Sequence, residues 1–280
     1  MIYIYYEYIN IFLYFTFYIY MLPIDKDENN IAYIFEKSKN KKTADAISDK
    51  ISYCETAGKN GFKSIDVDDP YYFALAPRPL KEKERMTLFV SGEAGAGKSH
   101  YTREFAKRYN QMFPNNPIYL ISYLDEDATL DAYKKIKRIK AFDNEFLNNC
   151  MKLDLKTEFR NTLVIFDDID SVANKKVKDV IYGFLFKLLK IGRHSNTSVA
   201  YIGHELYAEH KLKNVLNESM YITFFPRYLN FKKSKYLLSE YFGLSKQQIE
   251  RIQNIKNSRF ITYIKGSDKI ILSEKEMFIL

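Results

Sequence analysis

Residues 92–99 read GEAGAGKS, and no other stretch limits the fold of this chain so tightly. A short apolar run, residues 86–91, leads into it and reads as a buried parallel strand. Residues 98–112 follow, with Tyr101, Phe105, Tyr109 and Met112 at helical spacing until Pro114 and Pro117 stop the pattern. Strand, glycine loop and helix in that order fit the phosphate-binding pattern G-x-x-x-x-G-K-[ST] at every fixed position. Gly92, Gly95 and Gly97 allow positive φ and close backbone approach, so successive amides can turn inward on phosphate oxygens. The expected nucleotide cradle is Gly92, Glu93, Ala94, Gly95, Ala96, Gly97, Lys98, Ser99 and His100, helped by the positive end of the helix. Lys98 supplies a charge for the β- and γ-phosphates, and the Ser99 hydroxyl can ligate Mg²⁺. The chemistry expected here is binding and hydrolysis of ATP with Mg²⁺. A chance glycine loop would not be expected between a strand and a helix.

Two further blocks complete the expected site. Residues 163–170, LVIFDDID, read as a buried strand with acids at its C-terminal edge, where open α/β sheets bind ligands. Asp167 is the expected Mg²⁺-side carboxylate. Asp168 is positioned to orient and partly deprotonate an attacking water. Either Asp168 or Asp170 could instead cap a following helix; capping is the preferred reading for Asp170, catalysis for Asp168. Residues 192–206, GRHSNTSVAYIGHEL, read as a helix end, a polar turn and a strand that delivers His204 beside the Asp167 strand. His204 could hydrogen-bond the attacking water or the γ-phosphate, or serve a structural purpose. Arg193 and His194 could meet nucleotide or DNA across a subunit boundary, Arg193 as an arginine finger in trans. The alternative is that Arg193 closes the helix C-terminus.

Strands at 118–122, 162–166, 197–202 and 220–225 alternate with helices at 98–112 and 177–191, which implies a mostly parallel sheet with helices on both faces. Residues 131–146 read as a helix, very basic in its first half. Residues 71–76 read as a strand, 38–43 and 54–62 as loops, and 66–70 as an acidic turn. Beyond Pro226 come helices at 231–242 and 246–255. A terminal hairpin at 259–264 and 269–272 follows, turned at Gly266 and Ser267. The expected division is an aromatic segment 1–22, an extension 23–85, a core 86–226 and a C-terminal helical and hairpin part 227–280.

FVSGEAGAGKS (89–99), LVIFDD (163–168) and GRHSNTSVAYIGH (192–204) occur in an order that resembles the FtsK–HerA class of P-loop ATPases. Within that class the chain looks like the poxvirus-type genome-packaging ATPases of large DNA viruses, and Gly-Arg-His before a strand is the most family-specific piece. The resemblance covers residues 72–226. It departs at His204, where the family typically has Gln. It implies an ASCE-type, RecA-like α/β core in which another strand separates the P-loop strand from the Asp167 strand. It further implies a homo-oligomeric ring around double-stranded DNA, capsid proteins as partners, and a place at the viral assembly site in the host cytoplasm or in the virion.

The formal charge of +8 suits a polyanion partner such as DNA, or simply keeps the protein in solution. The run KKIKRIK, 134–140, is a candidate DNA contact or a solvated helix face. Two cysteines far apart, Cys54 and Cys150, indicate neither a disulfide framework nor a zinc site. Residues 1–22 contain one charge, Glu7, over a length that could span a bilayer. They read as a membrane anchor, as an aromatic packing segment, or as a translated upstream stretch with the start at Met21. The last two together are favoured because orientation signals are absent. Two rivals to a packaging motor stand: another nucleic-acid motor, such as a helicase or DNA-transfer pump, and a small-molecule kinase. A kinase should lack Asp168 and carry an arginine-rich lid, and no such lid is visible.

Overall fold

The computed structural model describes residues 30–36, 52–55, 64–77, 85–204, 210–226, 231–266 and 269–280. The aromatic segment 1–22, the loop expected at 38–43 and the turn residue Ser267 lie outside them. The chain begins with β1 (Asn30–Glu36), β2 (Ser52–Glu55), β3 (Ser64–Asp66) and β4 (Tyr71–Leu75). Next come β5 (Thr87–Ser91), α1 (Lys98–Met112), β6 (Ile118–Ser122), β7 (Ile136–Arg138), α2 (Asn144–Asn149) and α3 (Leu155–Glu158). The central run ends with β8 (Leu163–Asp167), α4 (Lys175–Ile191), β9 (Ser198–Gly203), α5 (His210–Glu218) and β10 (Tyr221–Phe224). The C-terminal part holds α6 (Phe231–Tyr236), a π-helical turn Leu237–Tyr241, α7 (Lys246–Gln253), β11 (Ile261–Ile264), β12 (Ile270–Ser273) and β13 (Glu276–Ile279).

Among the described residues the main sheet has ten strands in the order β3-β13-β12-β11-β10-β5-β9-β8-β6-β7. From β10 to β7 every neighbouring pair is parallel. The strands β11, β12, β13 and β3 extend it antiparallel. The expected terminal hairpin therefore continues the central sheet, with a third strand, β13, beyond it.

The parallel strands are apolar throughout because both of their faces are covered. Leu88, Val90, Ile165, Ala200 and Ile202 pack on one face with Tyr101, Phe105 and Tyr109 of α1. Phe89, Val164, Phe166, Val199 and Tyr201 pack on the other with Ile181, Phe184, Leu185 and Leu188 of α4. Each of the larger aliphatic and phenylalanine side chains here, taken fully out of water, stabilises the fold by about 2 kcal/mol. A second sheet, β2-β1-β4, adds Ile31, Phe73 and Leu75 to the α1 side. There Arg108 of α1 is buried, its Nε donating to the Leu75 carbonyl at 3.1 Å and its guanidinium lying 5.9 Å from the centre of the Phe35 ring.

Two expectations need correction. Residues 131–146 do not form one helix: turns lead into β7, and only Asn144–Asn149 is helical in that stretch. Ile136 and Ile139 stand three apart, a spacing that suits a helix, but Ile136 is buried and Lys137 exposed in the period-2 pattern of a strand. Pairing of Ile136 with Ile118 on β6 settles the local choice in favour of the sheet. Cys54 and Glu55, expected in a loop, belong to β2; residues 56–62 lie outside the described residues.

Candidate functional site

The order β10-β5-β9-β8-β6 brings the C-terminal ends of β5 and β8 to one edge of the sheet, with β9 between them. From β5 the chain enters the glycine loop. Gly95 and Gly97 take left-handed backbone angles, φ 78° and 101°, and Gly97 opens α1. Gly92 does not need positive φ. It is required by close approach, since a Cβ there would sit 3.0 Å from Phe225 and 3.1 Å from the Ala96 side chain. Glu93, Ala94 and Gly95 are exposed while Ala96 is buried, so the loop stands proud of the sheet on an anchored base.

Lys98 is buried and folds back over that loop. Its Nζ donates to the Gly92 carbonyl at 2.7 Å and the Glu93 carbonyl at 3.0 Å, and lies 3.5 Å from His204 Nδ1. Burial lowers its pKa, with Asp167 and Asp168 acting in the opposite direction. Ser99 follows in the first turn of α1. The side chain of His100 is exposed and meets Arg103 at 3.2 Å, so it stays away from this group.

Asp167 ends β8 and is buried. Burial, with the charges of Asp168 and Asp127 added, pushes its carboxyl up to about 7, while Lys98 and Arg138 pull it down. Its Oδ2 and the Ser91 hydroxyl are buried without a hydrogen bond among the described residues. A buried carboxylate oxygen left unsatisfied at the sheet edge that carries the glycine loop fits a hard, oxygen-seeking cation. No cluster of three His, Cys, Asp or Glu side chains that could hold a metal occurs among the described residues. A Mg²⁺ here would therefore draw its other ligands from Ser99, nucleotide oxygens and water.

Asp168 takes left-handed backbone angles, φ 53° and ψ 25°, and its carboxylate accepts from His204 Nε2 at 2.7 Å. It does not cap the short 3₁₀ turn that follows it. His204 Nε2 faces the Asp168 carboxylate, and its Nδ1 faces the Lys98 ammonium. One imidazole thus bridges the glycine loop and the acidic strand. Asp170, expected as a helix cap, has a different partner set: Tyr182 and Tyr201 donate to its Oδ1, and Asn174 caps α4 instead.

Arg193 is exposed in a 3₁₀ turn before β9, at the sheet edge opposite the glycine loop and outside this chain's own phosphate site. The end of α4, the alternative place for Arg193, is taken by Arg85, which donates to the Leu188 and Leu189 carbonyls. Gly192 makes room for that arginine, since a Cβ there would lie 2.5 Å from Arg85 Nη1. Sequence reasoning missed Arg85, Asp127 and the tyrosine pair, because none of them belongs to a local pattern, and it met Arg138 only as part of the basic run 134–140.

The fold and site define the class: a RecA-like P-loop NTPase fold, with one strand between the phosphate loop and the acidic strand. No protein-family model matches the chain. It is 30% identical over 204 residues to the uncharacterized protein V3 of Sputnik virophage, covering 72% of this chain and 79% of that one, and it belongs to the same family. Among solved structures it is similar to the genome packaging NTPase B204 of Sulfolobus turreted icosahedral virus 2 in complex with AMPPCP. That likeness has a TM-score of 0.46 at 14% identity, over 69% of this chain and 99% of that one. It is also similar to the cytoplasmic domain of the type VII secretion ATPase EccC of Thermomonospora curvata, with a TM-score of 0.47 at 10% identity, over 76% and 28%. Among the described residues no helix is long and apolar enough to cross a membrane.

Proposed function

We propose that this protein is an Mg²⁺-dependent ATPase that drives double-stranded viral DNA into a capsid, working as a ring of identical subunits. The observation that carries the reading is the meeting of Lys98, Asp167 and Asp168 at one sheet edge, with His204 joining the two elements. In this reading Lys98 leaves the loop carbonyls to meet the β- and γ-phosphates, and Ser99 and Asp167 hold the metal. Bound Mg²⁺ would neutralise phosphate charge as the terminal group departs. Asp168 takes the proton of an attacking water, and His204 orients that water or the γ-phosphate.

The site supports hydrolysis over phosphoryl transfer to a small acceptor because a carboxylate follows the metal acid directly. Exposed Lys134, Lys135, Lys137 and Lys140 around the edge strand β7 offer a basic surface for DNA phosphates. Arg193, exposed on the far edge, suits a neighbour's nucleotide more than its own. Residues 86–226 would form the motor and 227–280 would brace it, with capsid proteins as docking partners at the viral assembly site or in the virion. Displacement of a third strand from a triplex by the protein with ATP, without separation of the duplex strands, tests this against a helicase. Strand separation, or phosphate transfer to a small acceptor, would overturn it.

A further inference from the structure

The sharpest feature outside the expected site lies one turn below it. The Asp170 Oδ1 accepts from Tyr201 at 2.7 Å and from Tyr182, and the two tyrosine hydroxyls lie 2.8 Å apart. Tyr182 comes from α4 and Tyr201 from β9, so one carboxylate oxygen ties a helix, a strand and the turn after β8 together. Burial, with Tyr182 and Asp170 adding to it, raises Tyr201 well above its ordinary range. It therefore stays a neutral donor wherever the protein is folded.

The turn held this way is the one that aims Asp168. Asp168 stands in the left-handed region, which costs a non-glycine residue of order 1 kcal/mol and persists only where the surroundings impose it. No side-chain hydrogen bond from Asp168 caps its own turn. The next residues are held by the turn's backbone bonds, with the Ser171 amide donating to the Asp168 carbonyl at 3.1 Å, by buried Ile169, and by the Asp170 clasp, which joins them through hydrogen bonds to side chains of α4 and β9. Tyr201 sits opposite Phe166 on β8, one residue before the acids begin. Two residues beyond Tyr201, Gly203 accepts from the Gly92 amide at 3.3 Å, and a Cβ on Gly203 would crowd Phe89 and Tyr201 to 3.1 Å. The clasp thus shares its strand with the anchor of the phosphate loop.

We infer that Asp170, Tyr182 and Tyr201 are positioning residues for the hydrolytic step, holding the left-handed backbone that points Asp168 at His204 and the phosphate loop. This rests on the proposed role of Asp168. Asp170 does not itself reach the reacting atoms. Loss of the clasp lets the turn relax and lowers turnover, while the phosphate loop keeps its grip on nucleotide.

The test is ATP turnover and ATP affinity of the full chain carrying Asp168→Asn, Tyr182→Phe with Tyr201→Phe, Asp170→Ala, and Asp170→Asn. The phenylalanine pair keeps the packing volume, and Asp170→Asn keeps an acceptor oxygen for both tyrosines. Expected are a fall in kcat of about 10-fold or more for the phenylalanine pair and for Asp170→Ala, a KM for ATP within about 2-fold, and partial recovery in Asp170→Asn. Combining Asp170→Ala with Asp168→Asn should cost no more than Asp168→Asn alone, because both act through one carboxylate. Wild-type turnover in the folded phenylalanine pair overturns the inference, as does a loss that multiplies with that of Asp168→Asn. Wild-type turnover in Asp168→Asn itself overturns the underlying site reading instead.

Discussion

At Asp167 a carboxyl that ordinarily ionises near 3.8 is held to about 7 by burial and two neighbouring acids. A raised folded-state pKa means that the protonated form is preferred in the fold. The stabilisation is complete below the unfolded value and is lost as pH rises through about 7. Metal-free protein should therefore melt at a lower temperature at pH 8 than at pH 5, by an amount that shrinks in Asp167→Asn; identical pH profiles for the two proteins would contradict this. Asp168→Asn should keep ATP affinity within a few-fold and lose about 100-fold or more in turnover, measured by steady-state phosphate release. Lys98→Ala should instead lose affinity as well, because the charge it removes meets the phosphates already in the ground state. The meeting of the glycine loop, Asp167, Asp168 and His204 at one sheet edge was legible because each sits at a fixed offset from a strand end. Asp170 was misread because its partners, Tyr182 and Tyr201, stand far along the chain, and a local rule offered capping in their place.

At the scale of elements, α4 ends on a borrowed cation. Arg85, on the segment entering β5, satisfies the last carbonyls of α4, and burial lowers its pKa to about 10 without discharging it near neutrality. Arg85→Met should destabilise the fold by about 2–3 kcal/mol, seen as a melting temperature lower by several degrees. ATP turnover per folded molecule should stay near that of the parent protein. The strands β5, β6, β8, β9 and β10 were readable from their continuous apolar runs, as were the helices α1 and α4 from their spacing. β7 was not, because a three-residue edge strand carries too few apolar positions to declare its period. Nor were β3 and β13, three and four residues long, whose strand character comes from pairing across the sheet, nor β1, whose apolar run NIAYIFE was passed over in the extension. The basic edge at β7 makes its own prediction. Replacing Lys134, Lys137 and Lys140 by Gln should weaken duplex binding and flatten its log–log dependence on salt, by about one unit of slope for each phosphate no longer neutralised. An unchanged slope would remove this edge from the DNA path.

At the scale of the whole molecule, the ten-stranded sheet extends well past the motif-bearing core. The antiparallel strands β11, β12, β13 and β3 continue from β10, next to the phosphate-loop strand, so the C-terminal part is bonded directly to the sheet that carries the site. The phosphate-loop strand β5 is thus linked to residues 261–279 through an unbroken run of strand hydrogen bonds. The boundary expected at residue 226 falls between β10 and β11, which pair antiparallel. Sequence motifs mark where nucleotide chemistry resides, while backbone pairing decides which elements are bonded to that site. On the proposed function, the protein should hydrolyse ATP slowly alone and faster with duplex DNA. The most direct measurement is the steady-state rate of ATP hydrolysis by the full chain with Mg²⁺, with and without double-stranded DNA. A rate that rises several-fold with duplex, together with assembly into a ring, is the predicted result. A rate indifferent to duplex, or no hydrolysis by a folded protein that binds ATP, would contradict it.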